Sequence, residues 1–211
     1  MVYKIKVEDI FQTYAYFYVN DADGHAFLID PGAEGDRLLY FAEEKGIITD
    51  AVVLTHGHFD HTGGIADIRK RLDMPVYAHE RSDEYLLDPY MNLSREYTED
   101  IIIENAVKVK DSDILHLDSD PSFGLRIMYT PGHTTDSICL IGSSEKIAFV
   151  GDTIFKGRLG FAGYPGGNPE DLKKSVFEKI LKLPDETVLY SGHSMVTTVA
   201  KEKMFRVMPF K

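Results

Sequence analysis

Asp50-Ala51-Val52-Val53-Leu54-Thr55-His56-Gly57-His58-Phe59-Asp60-His61 sets three imidazoles and a carboxylate within six consecutive positions, behind an apolar and largely β-branched run. Borderline divalent metals are held by neutral imidazole nitrogens and carboxylate oxygens. Burying such groups without partners is costly, so a soluble domain rarely gathers them by accident. The run ending at Thr55 has the composition of a short buried strand. Beyond the cluster, Gly63 to Leu72 places Ile65, Ile68 and Leu72 at helical spacing. The cluster is therefore expected on a strand-to-helix loop at the carboxyl end of a strand, where α/β folds keep their chemistry. A histidine tract with no ligand is the alternative. Such tracts do occur by chance, and a metal-binding tag is terminal and featureless, whereas this one is internal, bounded by regular elements, and carries an aspartate.

A zinc-like ion takes about four ligands, so further donors are needed for more than one site. Three later segments offer them. Thr130-Pro131-Gly132-His133-Thr134 follows the strand-like Leu125 to Tyr129. Gly151-Asp152-Thr153 follows Lys146 to Val150, and Gly192-His193-Ser194 follows Thr187 to Tyr190. Each puts one donor just after a strand, beside a glycine that permits a sharp turn. Taken singly, a histidine after a strand is more often structural. Together they bring seven ligand-type residues to four strand ends.

The order H-x-H-x-D-H, then His, Asp and His, preceded by Ile29-Asp30-Pro31-Gly32, resembles the metallo-β-lactamase superfamily. Asp88-Pro89 with Asn92 and Ser94, Pro165-Gly166-Gly167 and Thr197-Thr198 narrow the resemblance to a compact, single-domain, glyoxalase II-like branch. The resemblance implies an α/β fold, a four-layer αββα sandwich, in one domain over residues 1–211. It implies two divalent metal ions, zinc by expectation, with iron or manganese compatible with the same donors. His56, His58 and His133 would hold one ion; Asp60, His61 and His193 would hold the other; Asp152 would bridge them. Asp60 and Asp152 are the candidate catalytic carboxylates. Two ions about 3.5–4 Å apart can share a nucleophilic hydroxide and polarise a carbonyl. Asp30 is expected as a supporting or turn residue rather than a ligand.

Composition fits an ordinary soluble enzyme. With 211 residues and 44% hydrophobic content, the chain can bury one substantial core. No apolar stretch approaches the roughly 20 residues needed to span a bilayer. The start Met1-Val2-Tyr3-Lys4-Ile5-Lys6 alternates like a strand rather than opening a signal peptide, which makes a cytoplasmic location the expectation. The formal charge of −11, with no basic block, disfavours nucleic acid. The expected partner is a small-molecule substrate, with neither nucleic acid nor membrane, and with the oligomeric state open. The lone cysteine, Cys139, lies in an apolar run and is expected in the core. Charges at Glu43, Glu44, Lys45, Lys173 and Lys174 are expected on solvated helix faces.

The pattern predicts strands near 2–7, 13–19, 25–30, 51–54, 75–78, 113–117, 123–130, 136–141, 146–150 and 187–190. Helices are predicted near 35–46, 63–72, 80–87 and 169–182. The last begins on a strong signal: Asn168 as cap, Pro169 in the first position, then Glu170 and Asp171 against the dipole. Its stripe Leu172, Val176, Phe177, Ile180 and Leu181 is expected to face the core. Residues 88–105 show no clear pattern; Tyr90 and Tyr97 there either cover a pocket or belong to a structural loop.

Departures from the family pattern bear on substrate. In glyoxalase II-like enzymes a Lys or Arg follows the second glycine of a Gly-x-Gly segment and helps hold glutathione. Here Gly157-Arg158-Leu159-Gly160 is followed by Phe161, which cannot pair with a carboxylate, while Arg158 and Lys156 are displaced in register. These three residues are the candidate substrate contacts. The C-terminal helical domain of full-length relatives is also expected to be absent. Ser191 stands where a proline often precedes Gly-His, a change expected to loosen that turn. The favoured activity is hydrolysis of a thioester or ester of a small acyl compound. A mononuclear iron persulfide dioxygenase is the alternative, although the Gly-Arg-Thr-Asp segment usual there reads Gly160-Phe161-Ala162-Gly163. A non-catalytic metal- or ligand-binding module is the third class.

Overall fold

The computed structural model describes residues 1–205. The described residues form two compact units: Met1–Val109 with Leu117–Pro121, and Lys110–His116 with the described residues from Ser122 on. Among the described residues, no helix is long and apolar enough to cross a membrane.

The first unit is built on a six-stranded sheet with its strands in sequence order: β1 Val2–Glu8, β2 Gln12–Val19, β3 His25–Ile29, β4 Ile48–Val53, β5 Val76–His79 and β6 Val107–Val109. The first three are antiparallel, with Lys4 opposite Tyr16, and the rest are parallel, with Leu28 opposite Val52. Parallel neighbours need crossovers. Helix α1 (Gly35–Lys45) supplies that between β3 and β4; α2 (Phe59–Thr62) and α3 (Ile65–Arg71) supply that between β4 and β5. Gly46, at φ 65°, ends α1 by donating its N–H to the carbonyls of Ala42 and Glu43. Phe17, Leu28, Val52, Leu38, Ile65 and Ile68 meet in the core. Full burial of one such side chain stabilises by roughly 1.5–3 kcal/mol.

Leu72 departs from expectation. It closes α3 in an extended conformation and is 41% exposed, because the helix ends one residue earlier than its apolar spacing suggested. The predicted helix at 80–87 shrinks to α4, Asp83–Leu86, and the unpatterned segment holds α5, Ser94–Tyr97. Strand β6 was not foreseen: Val107 and Lys108 are exposed and only Val109 is buried, so no run of apolar residues marks it.

The second unit carries another six-stranded sheet, in the order β14-β13-β10-β9-β8-β7. Its strands are β7 Ile114–His116, β8 Gly124–Tyr129, β9 Ile138–Gly142, β10 Ile147–Gly151, β13 Val188–Ser191 and β14 Thr197–Thr198. A hairpin, β11 Ile154–Phe155 with β12 Arg158–Leu159, projects after β10. Helix α6 (Pro169–Lys174) starts as predicted: Asn168 Oδ1 accepts from the N–H groups of Glu170 and Asp171 at 3.0 and 3.2 Å. The helical path then widens through a π-type turn at Ser175–Lys179 and tightens through a 3₁₀ turn at Ile180–Lys182. That change of pitch turns Phe177 outward, 42% exposed, while Leu172, Val176, Ile180 and Leu181 stay in the core with Cys139, Ile141 and Leu189. Helix α7, Val199–Phe205, closes the described chain.

Candidate metal centre

In the first unit β4 delivers the cluster at its carboxyl end. His58 is the N-cap of α2, so Asp60 and His61 lie in a helical turn rather than in the open loop expected. Asp30, just past β3, is the anchor of this half. Its left-handed backbone, φ 49°, turns the carboxylate under the cluster. There Oδ1 accepts from the Thr55 N–H at 2.8 Å, and Oδ2 from the Thr55 hydroxyl at 2.7 Å. His61 Nδ1 lies 2.9 Å from the same Oδ2, and because a carboxylate only accepts, that nitrogen carries the proton. The Thr55 hydroxyl, its proton committed to Asp30, is left to accept from His56 Nδ1 at 3.1 Å. Both rings therefore keep Nε2 as a lone pair. This is the arrangement by which outer partners orient metal-binding imidazoles.

The donor atoms of this half converge. His56 Nε2 and His58 Nδ1 are 3.1 Å apart, the His56 and His61 rings are 4.2 Å apart between centroids, and Asp60 Oδ2 is 3.9 Å from His61 Nε2. Thr13 on β2 donates its hydroxyl to Asp60 Oδ2 over 3.4 Å. Two loops buttress the turn. Asn92 accepts the Phe59 N–H on its backbone carbonyl at 3.0 Å, while its own side chain bonds Ile101 and Ser94. The Gly32 backbone lies so close to Asp60 that a Cβ there would sit 1.7 Å from the Asp60 carbonyl oxygen. Tyr97 packs its ring on Phe11 and Phe59, so it belongs to a structural aromatic cluster, whereas Tyr90 is 62% exposed.

In the second unit His133, Asp152 and His193 follow β8, β10 and β13, as their strand-end positions predicted. Asp152 Oδ2 lies 3.6 Å from His133 Nε2 and 3.2 Å from His193 Nε2, placing one carboxylate between two imidazoles. The Gly192 N–H donates to the Gly151 carbonyl at 2.9 Å and ties the Asp152 and His193 turns together. Ser191 bonds within its turn: its hydroxyl accepts from the Ser194 N–H at 3.2 Å and lies 2.6 Å from the Ser194 hydroxyl. His133 Nδ1 donates to the Phe161 carbonyl at 2.5 Å, which leaves Nε2 for a ligand.

Of the candidate substrate contacts, Phe161 is tied to the donor set through its main chain, and its ring meets Tyr164 edge-on at 4.9 Å. Lys156 and Arg158 project from the β11–β12 hairpin; the Arg158 guanidinium lies 5.3 Å from the Phe155 ring centre. Sequence reasoning gave no role to Thr55, Thr13 or the Phe161 carbonyl, and met Asn92 only as a mark of the family resemblance. A hydroxyl or a main-chain carbonyl leaves no signature in spacing.

The donor set fits a borderline divalent metal: imidazole and carboxylate alone, with outer partners fixing the tautomers of His56, His61 and His133. His56, His58, Asp60, His61, His133, Asp152 and His193 supply the His/Asp groups able to hold metal ions.

Residues 9–193 match the metallo-beta-lactamase superfamily. The chain is 34% identical to the probable metallo-hydrolase YqgX of Bacillus subtilis, over 91% of this chain and 90% of that protein. It is 31% identical to the hydroxyacylglutathione hydrolase GloC of Haemophilus influenzae, over 90% and 89%. Among solved structures, the BLEG-1 B3 metallo-beta-lactamase superposes with a TM-score of 0.89 at 31% identity, over 97% of both chains. TTHA1623 in a di-iron-bound form gives 0.82 at 28%, over 95% of this chain and 96% of that one. ETHE1 from Myxococcus xanthus gives 0.76 at 27%, over 95% and 81%.

Proposed function

This chain belongs to the metallo-beta-lactamase superfamily and has its α/β fold, as the histidine motif implied, and from that premise we propose that it is a binuclear metal-dependent hydrolase. It acts on a thioester or ester of a small acyl compound. In this reading the chain works as one domain, and its seven donors would hold two ions: His56, His58 and His133 would serve one, Asp60, His61 and His193 the other, and Asp152 both. Zinc is the expected metal, and iron is the second candidate because TTHA1623 holds a di-iron centre. When bound, two such ions supply a nucleophilic hydroxide near neutral pH and polarise the carbonyl under attack.

The observation that carries the reading is the second unit's carboxylate. Asp152 Oδ2 stands within 3.6 Å of two imidazole nitrogens, the disposition of a group shared between two ions. The chain's own contribution is orientation. Asp30 and Thr55 hold His61 and His56 in the tautomers that bind metal, and the Phe161 carbonyl does so for His133. Thr13 donates to the Asp60 carboxylate and would steady it as a ligand.

Support for a thioester comes from the likeness to GloC, whose name describes hydrolysis of an acylated glutathione. Phe161, in place of a cation, points to a substrate less dependent on glutathione's carboxylates, with Lys156 and Arg158 the remaining cations near that stretch. Metal analysis of untagged, anaerobically purified protein is the test. Two ions per chain, with turnover of thioesters or esters on a substrate panel, are expected. One iron per chain with oxygen uptake on a persulfide would replace this reading by the dioxygenase. Thioesterase activity retained in Asp152→Ala would sink the two-ion centre.

A further inference from the structure

A pocket of about 220 Å³ is lined by Leu159, Phe161, Ala162, Pro169, Leu172 and Lys173. Its walls are the two segments that brace the His133 turn. One is Leu159–Gly163, fixed by the Gly160 N–H on the Thr153 carbonyl at 3.1 Å and by the Phe161 carbonyl on His133 Nδ1. The other is α6, fixed ahead of its start by the Asn168 N–H on the Gly132 carbonyl at 2.8 Å and just past its end by the Ser175 hydroxyl on the Pro131 carbonyl at 2.7 Å. Phe161 meets His133 on Nδ1, whereas the nitrogen turned to Asp152 is Nε2. A molecule in this pocket would therefore bear on the ring's outer edge and not on the atoms that face a metal.

The lining sets the ligand's chemistry. An apolar cavity of about 150 Å³ takes up benzene, so this volume suits a single ring with one substituent. Leu159 and Leu172 are buried, and beside them the walls are Phe161, Ala162, Pro169 and the glycines at 160 and 163. Lys173 is the one charged side chain of the lining. Its ammonium lies 2.7 Å from Glu170, but both members of that pair are strongly exposed, so the pairing is weak and the ammonium can turn to a ligand.

We propose that this pocket binds a small apolar carboxylate, one ring or one branched chain in size, and that its occupant tunes the metal affinity of His133 through the Phe161 carbonyl. A carbonyl on the outer nitrogen fixes an imidazole's orientation and basicity as a ligand, so displacing it changes how well Nε2 binds. The coupling is reciprocal: metal loading must change the ligand's affinity by the same factor.

Phenylacetate and its neutral analogue 2-phenylethanol are the probes, titrated by calorimetry and ligand-observed NMR against metal-loaded protein. Saturable phenylacetate binding at millimolar concentration or below is expected. Ala162→Leu, which fills the pocket, should weaken both probes about tenfold or more. Lys173→Gln, a surface change that leaves the fold intact, should weaken phenylacetate about three- to fivefold and leave 2-phenylethanol unchanged. Phenylacetate should also shift metal affinity in chelator competition. No saturable binding, or equal binding by wild type and both variants, overturns the site. Metal affinity indifferent to a bound probe overturns the coupling. None of these readouts uses catalytic turnover, so they stand or fall apart from the hydrolase reading.

Discussion

Asp30 Oδ2 lies 2.9 Å from His61 Nδ1, with the ring fully buried and the carboxylate 2% exposed. A buried carboxylate that also takes both Thr55 donors is a positioning device: it decides which nitrogen of His61 remains for a metal. Asp30→Asn tolerates the left-handed backbone at this position but gives up a charged acceptor. Metal affinity, followed by chelator competition, should fall about ten- to hundredfold. Unchanged affinity would reduce Asp30 to a turn residue.

Gly160 has no room for a side chain. A Cβ there would lie 1.7 Å from the Asp152 carbonyl oxygen, and that atom is backbone and cannot swing away. Gly160→Ala should cost about 3 kcal/mol or more in urea unfolding. A variant as stable as wild type would mean that the Asp152 turn adapts more freely than its packing implies.

Phe161 acts through two different groups. Its carbonyl holds His133, and any residue supplies a carbonyl; its ring stands at the position where the glyoxalase II-like pattern leads one to expect a cation. Phe161→Arg should therefore keep the metal content and lower the KM for glutathione thioesters about three- to tenfold by a charge-assisted bond. An unaltered KM would remove the argument for an apolar substrate.

Glu34 ties α1 to the edge of the first sheet. Arg37 donates Nε at 2.9 Å and a second guanidinium nitrogen at 2.7 Å, and the Glu8 N–H donates at 3.1 Å. The Arg37 hydrogen bonds hold the Glu34 carboxyl below its usual range, partial burial opposes them, and the Glu8 N–H assists. A depressed folded value stabilises above the unfolded carboxyl's pKa, about 4.3, and that gain fades as pH falls through the folded value. Glu34→Gln should cost less than about 1 kcal/mol at neutral pH, given its exposure, and the gap to wild type in thermal unfolding should close in acid. A gap that persists in acid would assign the effect to packing.

The donor residues were legible because imidazoles and carboxylates are conspicuous beside glycine at the ends of apolar runs. Strands from β1 to β5 were legible because their inward faces alternate or run apolar, and α6 because its cap is local. What escaped depends on distant chain. β6 is three residues long with one buried side chain, and β14 is two. The segment 88–105 looked patternless because Asn92 works through bonds to main-chain groups, its side-chain amide on Ile101 and Ser94 and its carbonyl on Phe59, which leave no periodic signature. Phe177 read as core because the stripe assumed 3.6 residues per turn, which the π-type turn breaks.

The main-chain contact between Gly32 and Asp60 also sets a timescale. Side-chain contacts can loosen by rotamer hops while the backbone stays still; two peptide groups in contact have no such freedom, and the Gly64 N–H bond to the Pro31 carbonyl at 2.8 Å joins the same two loops. The turn that bears Asp60 and His61 can therefore separate from the β3–α1 connection only by opening the backbone of both. Its amides should be among the last of the first unit to exchange with solvent deuterium, alongside the core strands rather than with the surface loops.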